Sequence, residues 1–205
     1  MKRLNWAFAL LLLAFTVPAA AVTDINIFLG QKSLDSADWG AGSEMGAGVS
    51  LDEQGEFGIL MNFAGYNWPV SIAVDLLGSS DEVDYYDTYY NSYGRVTAST
   101  SELDLGVRKV FGIYGTSLHP YVGGGLALVT GTIEDQVFYV GSYDDSDSGT
   151  GLWLNGGIFW SIGHFNIGLD ARYSEADVTL LSYYGNPVTV NAGGSHAGLI
   201  VGYSW

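Results

Sequence analysis

The sequence predicts an all-β fold: an eight-stranded antiparallel up-and-down transmembrane β-barrel at residues 22–205, preceded by a cleaved signal peptide at 1–21. Three observations predict it. Apolar and polar residues alternate with a period of two along eight stretches. The connections between these stretches alternate long and short. The polar face of the stretches carries glycines and charges of both signs, which suits a narrow enclosed interior better than either water or an apolar core. Residues 101–110 show the pattern in full. Leu103, Leu105 and Val107 share one side of an extended chain, and Glu102, Asp104, Gly106 and Arg108 share the other. A helix would scatter both sets around its circumference.

The N-terminal segment has Lys2 and Arg3, the apolar run 6–17, and then Pro-Ala-Ala-Ala, with the cut expected after Ala21. That is the n-region, h-region and small-residue cleavage site of a secretory signal. The run is shorter than the ~20 residues of a membrane-spanning helix. There is no cysteine, so neither a lipid-anchored N-terminal cysteine nor a disulfide framework is expected. The chain has seven basic residues, and loss of Lys2 and Arg3 leaves five against 22 acidic ones, a formal charge of −17. That excludes nucleic acid as a partner, because phosphates require Lys and Arg to neutralise them. The 29 glycines are spread through the alternating stretches and are not gathered into a linker.

In chain order, residues 24–31 form the first strand, with Ile25, Ile27 and Leu29 opposite Asn26, Phe28 and Gly30. Residues 33–48 are polar and glycine-rich and read as a long loop. The second strand runs to about 64, its start left open because 49–53 would extend it; Phe57, Ile59, Met61 and Phe63 oppose Glu56, Gly58, Leu60 and Asn62. A tight turn at 65–69 leads to the third strand, where Val70, Ile72, Val74 and Leu76 oppose Ser71, Ala73 and Asp75. Residues 78–94 read as a polar, tyrosine-rich loop. The fourth strand, 95–111, turns through 112–115 into the fifth, 118–133, whose faces the Gly123-Gly-Gly125 run leaves unassigned. A second acidic loop at 134–149 precedes the sixth strand, 150–161. Gly163-His164 turns it into the seventh, 165–173, and a last long loop at 179–192 leads to the eighth, 193–205. Four long and three short connections make consecutive strands antiparallel and gather the long loops at one end. The first and last strands then pair, removing the sheet's edges.

Alternation alone leaves sidedness open, since a soluble eight-stranded barrel would turn the aliphatic face inward. The polar face carries Gly58, Gly106, Gly157, Gly168, Gly198 and Gly202. Glycine facing water weakens a strand for no return, whereas in a crowded lumen it makes room. Phe57, Phe63, Tyr66, Trp68, Tyr173, Tyr203 and Trp205 lie near strand ends, where interfacial girdles belong.

The signal peptide, the eight alternating strands, the Pro120-Tyr-Val-Gly-Gly-Gly125 stretch and the terminal Gly202-Tyr-Ser-Trp205 resemble small Gram-negative outer-membrane β-barrels of the OmpA-transmembrane and OmpX kind. The resemblance covers the whole mature chain. It implies residence in the outer membrane, contact with its lipid and lipopolysaccharide, and insertion by the barrel assembly machinery after escort by periplasmic chaperones. Tyr203 and Trp205 would serve as the C-terminal assembly signal, with Trp205 where the family usually has Phe. It implies no shared function, since one fold hosts several.

Three sets of residues carry candidate chemistry. Asp75, Glu102, Asp104, Arg108, Asp170 and Arg172 face the expected lumen; they make either a structural plug of paired charges, which is the favoured reading, or a narrow conduit gated by exchangeable salt bridges. Asp81, Glu82, Asp84 and Asp87 lie among Tyr85, Tyr86, Tyr89, Tyr90 and Tyr93, and Asp144, Asp145 and Asp147 follow Tyr139 and Tyr143. These acidic, tyrosine-rich loops are either a solvated outer surface or a contact surface for a host or surface ligand; Asp-Asp-Ser-Asp lacks the spacing of a defined calcium loop. A lipid-modifying enzyme would need a histidine beside a serine and a carboxylate. His119 and His164 lie at the short-turn end, and His196 follows Ser195, which faces the opposite side of the strand. No catalytic residue, cofactor or metal ligand is therefore assigned. The expected role is structural or surface interaction, not catalysis.

Overall fold

A period-two chain with two differently wetted faces can satisfy its backbone in a membrane only by closing on itself, and the computed structural model of the protein is such a closure. It describes residues 22–41, 43, 48–65, 67–87, 91–137, 141–181 and 186–205. The expected signal peptide, Tyr66, Tyr89, Tyr90 and Tyr139 lie outside the described residues, and of Asp87 only the backbone is described. The strands are β1 (Val22–Ser33), β2 (Glu53–Phe63), β3 (Ser71–Asp87), β4 (Ser92–Val110), β5 (Leu118–Val137), β6 (Gly141–Ile162), β7 (Phe165–Glu175), β8 (Asp177–Leu181), β9 (Pro187–Asn191) and β10 (Gly194–Ser204). One short helix, α1 (Ser36–Trp39), follows β1.

Eight of these strands, β1–β7 and β10, form a closed barrel in the order β1-β10-β7-β6-β5-β4-β3-β2. Neighbours are antiparallel throughout. The closing pair β1–β10 is in register from Asp24↔Ser204 to Ser33↔Ser195, so no barrel edge is left unpaired along it. Sidedness is unambiguous. Leu29, Leu154 and Leu169 are 55%, 66% and 57% exposed, whereas Asp75 and Asp104 are fully buried and Arg172 is 4% exposed. The greasy face points out and the ionised face is enclosed. Inward glycines make room as expected: a Cβ on Gly157 would lie 2.4 Å from the Tyr121 ring. The lumen is not wholly polar, because Phe28, Leu60, Leu77, Tyr121, Phe159 and Ile200 form an inward apolar cluster. β5 now has its faces: Tyr121, Ala127 and Val129 are buried inside, and Val122, Leu126 and Leu128 are exposed outside.

The long connections differ from the sequence expectation. Residues 78–94 are mostly strand, with β3 and β4 paired as far as Asp87↔Ser92. The 134–149 segment likewise pairs to Val137↔Gly141. The physical reason is an inversion of polarity along one unbroken alternation. On β4, inward positions change from Val96 and Ala98 to Glu102, Asp104 and Arg108, while outward positions change from Thr97, Ser99 and Ser101 to Leu103, Leu105 and Val107. Above the apolar band the outside is polar and the inside apolar, so the hydrophobic face changes sides and the strand reads as loop. Residues 33–48 contain α1, with Asp35 capping it through the Ala37 amide at 2.9 Å. β2 begins at Glu53, without 49–52, and β3 begins at Ser71.

Residues 179–192 are the largest departure from expectation, because they contribute to a separate β8–β9 hairpin. The hairpin packs its Val178, Leu180 and Val190 with Trp39 and Leu51 against Val96, Ala98, Val129, Ile133 and Trp153. An apolar cap thus sits over the end of the barrel where the long connections gather. The chain crosses β6 closely to reach it: a Cβ on Gly151 would lie 1.6 Å from the Glu175 carbonyl oxygen. Glycine is required there by the approach of one backbone to another.

Candidate functional site

Strand parity aims a buried acidic or basic side chain from six of the eight barrel strands, all but β5 and β6, into the lumen, and the barrel's small bore brings opposite walls within side-chain reach. At the centre, Arg172 of β7 reaches Asp75 on β3 (Nη2–Oδ2 2.6 Å) and Asp104 on β4 (Nη1–Oδ2 2.5 Å), with Asp170 at 3.8 Å. β7 and β3 are four strands apart in the ring of eight, so this side chain spans the bore. Arg108 holds the same Asp75 oxygen at 2.6 Å and donates to Asn62 at 3.0 Å. The Trp153 ring lies against both guanidinium groups, 5.2 Å from Arg172 and 5.8 Å from Arg108. Asp170 accepts from Tyr121 Oη at 2.6 Å and Asn155 Nδ2 at 2.9 Å.

A second tier lies beneath the cap. Lys32 of β1 donates to Thr100 at 2.9 Å and to the Ala192 carbonyl at 2.8 Å, and lies 3.4 Å from Glu102. One ammonium group therefore ties the base of the cap to the lumen wall. Ser174 Oγ donates to Glu102 at 3.1 Å and lies 3.1 Å from His196 Nε2, while His196 Nδ1 is 2.8 Å from Glu56. A third tier toward the short turns joins Asp24 to Asn26 and Asn62, each at 2.7 Å.

All six residues expected in the lumen face it. Five of them meet at the centre. Glu102 does not; it belongs to the Lys32–His196 tier, away from Arg108 on its own strand. The expected lumen charge set omitted Lys32, Glu56, His196, Asp24 and Ser174, although the same parity was available: Glu56 shares the face of Gly58, Lys32 follows inward Gly30 by two, and His196 precedes Gly198 by two. Ser195 is exposed on the outer face as the alternation requires, and the serine that reaches His196 comes from the neighbouring strand β7. The Ser174–His196–Glu56 row has the order of a nucleophile, base and orienting carboxylate. It is sealed, with the His196 and Glu56 side chains 0% and 1% exposed and Ser174 fully buried. A nucleophile needs a substrate beside it, and this hydroxyl has only lumen partners.

Of the acidic residues at the other end, Glu82, Asp84, Asp145 and Asp147 have structural partners. Glu82 and Asp84 face outward and flank Arg95, at 2.9 and 2.7 Å. The Arg95 hydrogen bond holds the Asp84 carboxyl below its ordinary range. Both groups are exposed, so the pair is screened and adds little to stability. Asp81 lies on the opposite face to Glu82, and Tyr85 on that face donates to Asp135 at 2.6 Å. Tyr86 stacks edge-on against Tyr93 with centroids 5.2 Å apart. Asp144 is exposed and pairs in register with Glu134. Asp147 and Asp145 accept the Thr179 and Leu181 backbone amides at 2.8 and 2.7 Å, pinning β8 to β6. Among the described residues no three His, Asp or Glu side chains converge to hold a metal ion. At the short-turn end Tyr203 packs against Phe165, His164 and Trp205, with centroids 5.1–5.6 Å apart.

The amide hydrogen bonds keep the Asp147 carboxyl below its ordinary range. Its bond to the cap is therefore complete above the normal aspartate pKa of about 3.9 and is lost as pH falls through the lowered value. The Thr179 amide is expected to exchange slowly near neutrality and to lose protection only in that acid window, whereas Asp147→Asn removes the pH dependence. Exchange measured by NMR in micelles checks this; the same pH dependence in the Asn variant would contradict it.

A closed eight-stranded barrel with an outward greasy band and an enclosed charge network defines the class: this is the fold of the small outer-membrane β-barrels. Among solved structures the chain is similar to Ail, the attachment invasion locus protein of Yersinia pestis, in complex with the heparin analogue sucrose octasulfate. The identity is 14%, the TM-score 0.52, and the match covers 90% of this chain and 99% of that one. It is also similar to the N-terminal β-barrel domain of Pseudomonas aeruginosa OprF, at 16% identity and TM-score 0.41, covering 90% of this chain and 99% of that one. The likeness is one of fold. No family model matches the sequence, and no curated protein matches it.

Proposed function

We propose that the protein is an integral outer-membrane barrel of a Gram-negative bacterium, plugged by its own salt bridges, with a structural or surface-interaction role carried by its external hairpins. The observation that carries this reading is Arg172 bridging opposite walls of a barrel whose outward side chains are aliphatic. On this reading residues 1–21 direct export and are removed. The apolar band meets lipid and lipopolysaccharide, and Tyr203 and Trp205 are read by the assembly machinery after delivery by chaperones.

Charge narrows the surface ligand. The basic residues beyond 21 are Lys32, Arg95, Arg108, Lys109 and Arg172. Lys32, Arg108 and Arg172 are buried in the lumen, and Lys109 lies near the short turns, close enough to donate to the Pro69 carbonyl. Only Arg95 is left on the external strands, and Glu82 and Asp84 already flank it. Ail was solved with a heparin analogue. The external face of this chain would repel such a polyanion, so a neutral or cationic ligand fits it.

The plug is tested in planar bilayers. Purified protein is expected to give no steady single-channel openings at neutral pH, whereas steady openings in the wild type would establish the narrow conduit instead. Deleting 81–93 is expected to abolish adhesion to a host or matrix partner while leaving the heat-dependent gel shift unchanged. The lipid-modifying alternative predicts altered lipid A in overexpressing cells, and an unmodified profile removes it.

A further inference from the structure

The outer wall of β2–β5 carries a recess of about 460 Å³. Two outward cross-strand rows supply most of its lining, and the inward-facing Leu77 and Glu102 between them complete it. The row nearer the short turns is Ile59–Leu76–Leu103–Leu128, wholly aliphatic. The next row outward is Phe57–Gly78–Ser101–Thr130, an aromatic followed by a gap and two hydroxyls. The recess thus lies where a hydrocarbon surface gives way to a hydrogen-bonding one.

Gly78 is the notable residue. A Cβ there would meet only the Thr100 carbonyl oxygen, at 4.0 Å, and a Cβ on Gly55, in the row above, would meet nothing within 4 Å. Neither glycine has a left-handed backbone. No turn or close approach of chains requires them, unlike Gly151 and Gly157. A strand glycine without such a reason weakens the sheet, and here its effect is to keep the outer wall concave between Phe57 and Leu103.

We propose that this recess holds one acyl chain of a membrane lipid, with the methylenes on the leucine row and the ester region at the Ser101 and Thr130 hydroxyls. The recess is continuous with the exposed band formed by Phe57, Leu105, Leu126 and Leu128, so the inference rests on the reading of that band as lipid-facing. Amphiphile chemistry matches the change from aliphatic to hydroxyl rows. A second copy of this barrel would present a convex wall, which does not fill a narrow concavity.

The test is lipid retention. Wild-type protein, Gly78→Ala and Gly78→Leu are folded into vesicles of palmitoyl-oleoyl-phosphatidylcholine, extracted in mild detergent and weighed by native mass spectrometry. Wild type and Gly78→Ala are expected to keep one phospholipid per barrel. Gly78→Leu, which fills the recess from the outside without touching the lumen, is expected to lose it at least fivefold with an unchanged heat-dependent gel shift. Equal retention in Gly78→Leu overturns the inference and leaves the membrane reading intact, as does a wild-type dimer that Gly78→Leu abolishes. Wild type that stays dissolved without detergent overturns both.

Discussion

Replacing Arg172 by methionine is expected to lower barrel stability by about 3–5 kcal/mol, the cost of leaving buried charges without their partner. Methionine keeps the aliphatic stem but removes the charge, the forked hydrogen bonds and the guanidinium's contact with the Trp153 ring. Three carboxylates depend on this guanidinium: Asp75 at 2.6 Å, Asp104 at 2.5 Å and Asp170 at 3.8 Å. Arg108 can still hold Asp75, but Asp104 has no other basic residue within ion-pair distance among the described residues. Arg172→Lys is expected to fall between the two, because a single ammonium cannot fork between Asp75 and Asp104 as a guanidinium does. The midpoint of urea unfolding in lipid vesicles, followed by the gel shift, gives the number. A loss below 1 kcal/mol for Arg172→Met would mean that the lumen admits enough water to solvate the orphaned carboxylates. The plug would then be the wrong description of the bore.

Leu169→Arg is expected to cost about 2–4 kcal/mol in vesicles, the penalty for an arginine near the bilayer midplane on the outside of a barrel. Leu169 lies inside the outward row of β7, between Phe165 and Ile167 on one side and Ala171 and Tyr173 on the other, and it is 57% exposed. The same substitution on a water-facing strand would stay within about 0.5 kcal/mol. Sidedness, the premise of the proposed function, is thus read as a free-energy difference at one position. A near-neutral Leu169→Arg would place this band in water and dismiss the membrane.

How far the sequence could be read depended on whether a residue's environment follows from its own strand. The barrel was legible because period two is a local property: Leu103, Leu105 and Val107 declare an outer face without reference to any other segment. The number of barrel strands, their antiparallel order and the closure of β1 on β10 followed from counting such stretches and the turns between them. Lumen membership was legible too: parity puts Glu56 on the face of Gly58, and Lys32 and His196 follow from the alternation that places Asp104 and Arg172. The strand extensions were not legible. Their alternation continues, but the medium outside the barrel changes from apolar to aqueous, so Val96 and Ala98 point inward where Glu102 and Asp104 do below them.

By itself, then, the sequence determined the eight barrel strands, the faces of those other than β5 and six of the charges the barrel encloses, because all three depend on alternation and on the cost of placing an ion against hydrocarbon. Only the tertiary structure decided the partners. Arg172 meets Asp75 and Asp104, 97 and 68 residues away in the chain, because the curvature of the closed sheet sets which positions on opposite walls share a height. The same is true of the cap. Val178, Leu180 and Val190 found Trp39 and Ile133 through the path of the chain over Gly151, and no period in the sequence records where a folded hairpin comes to rest.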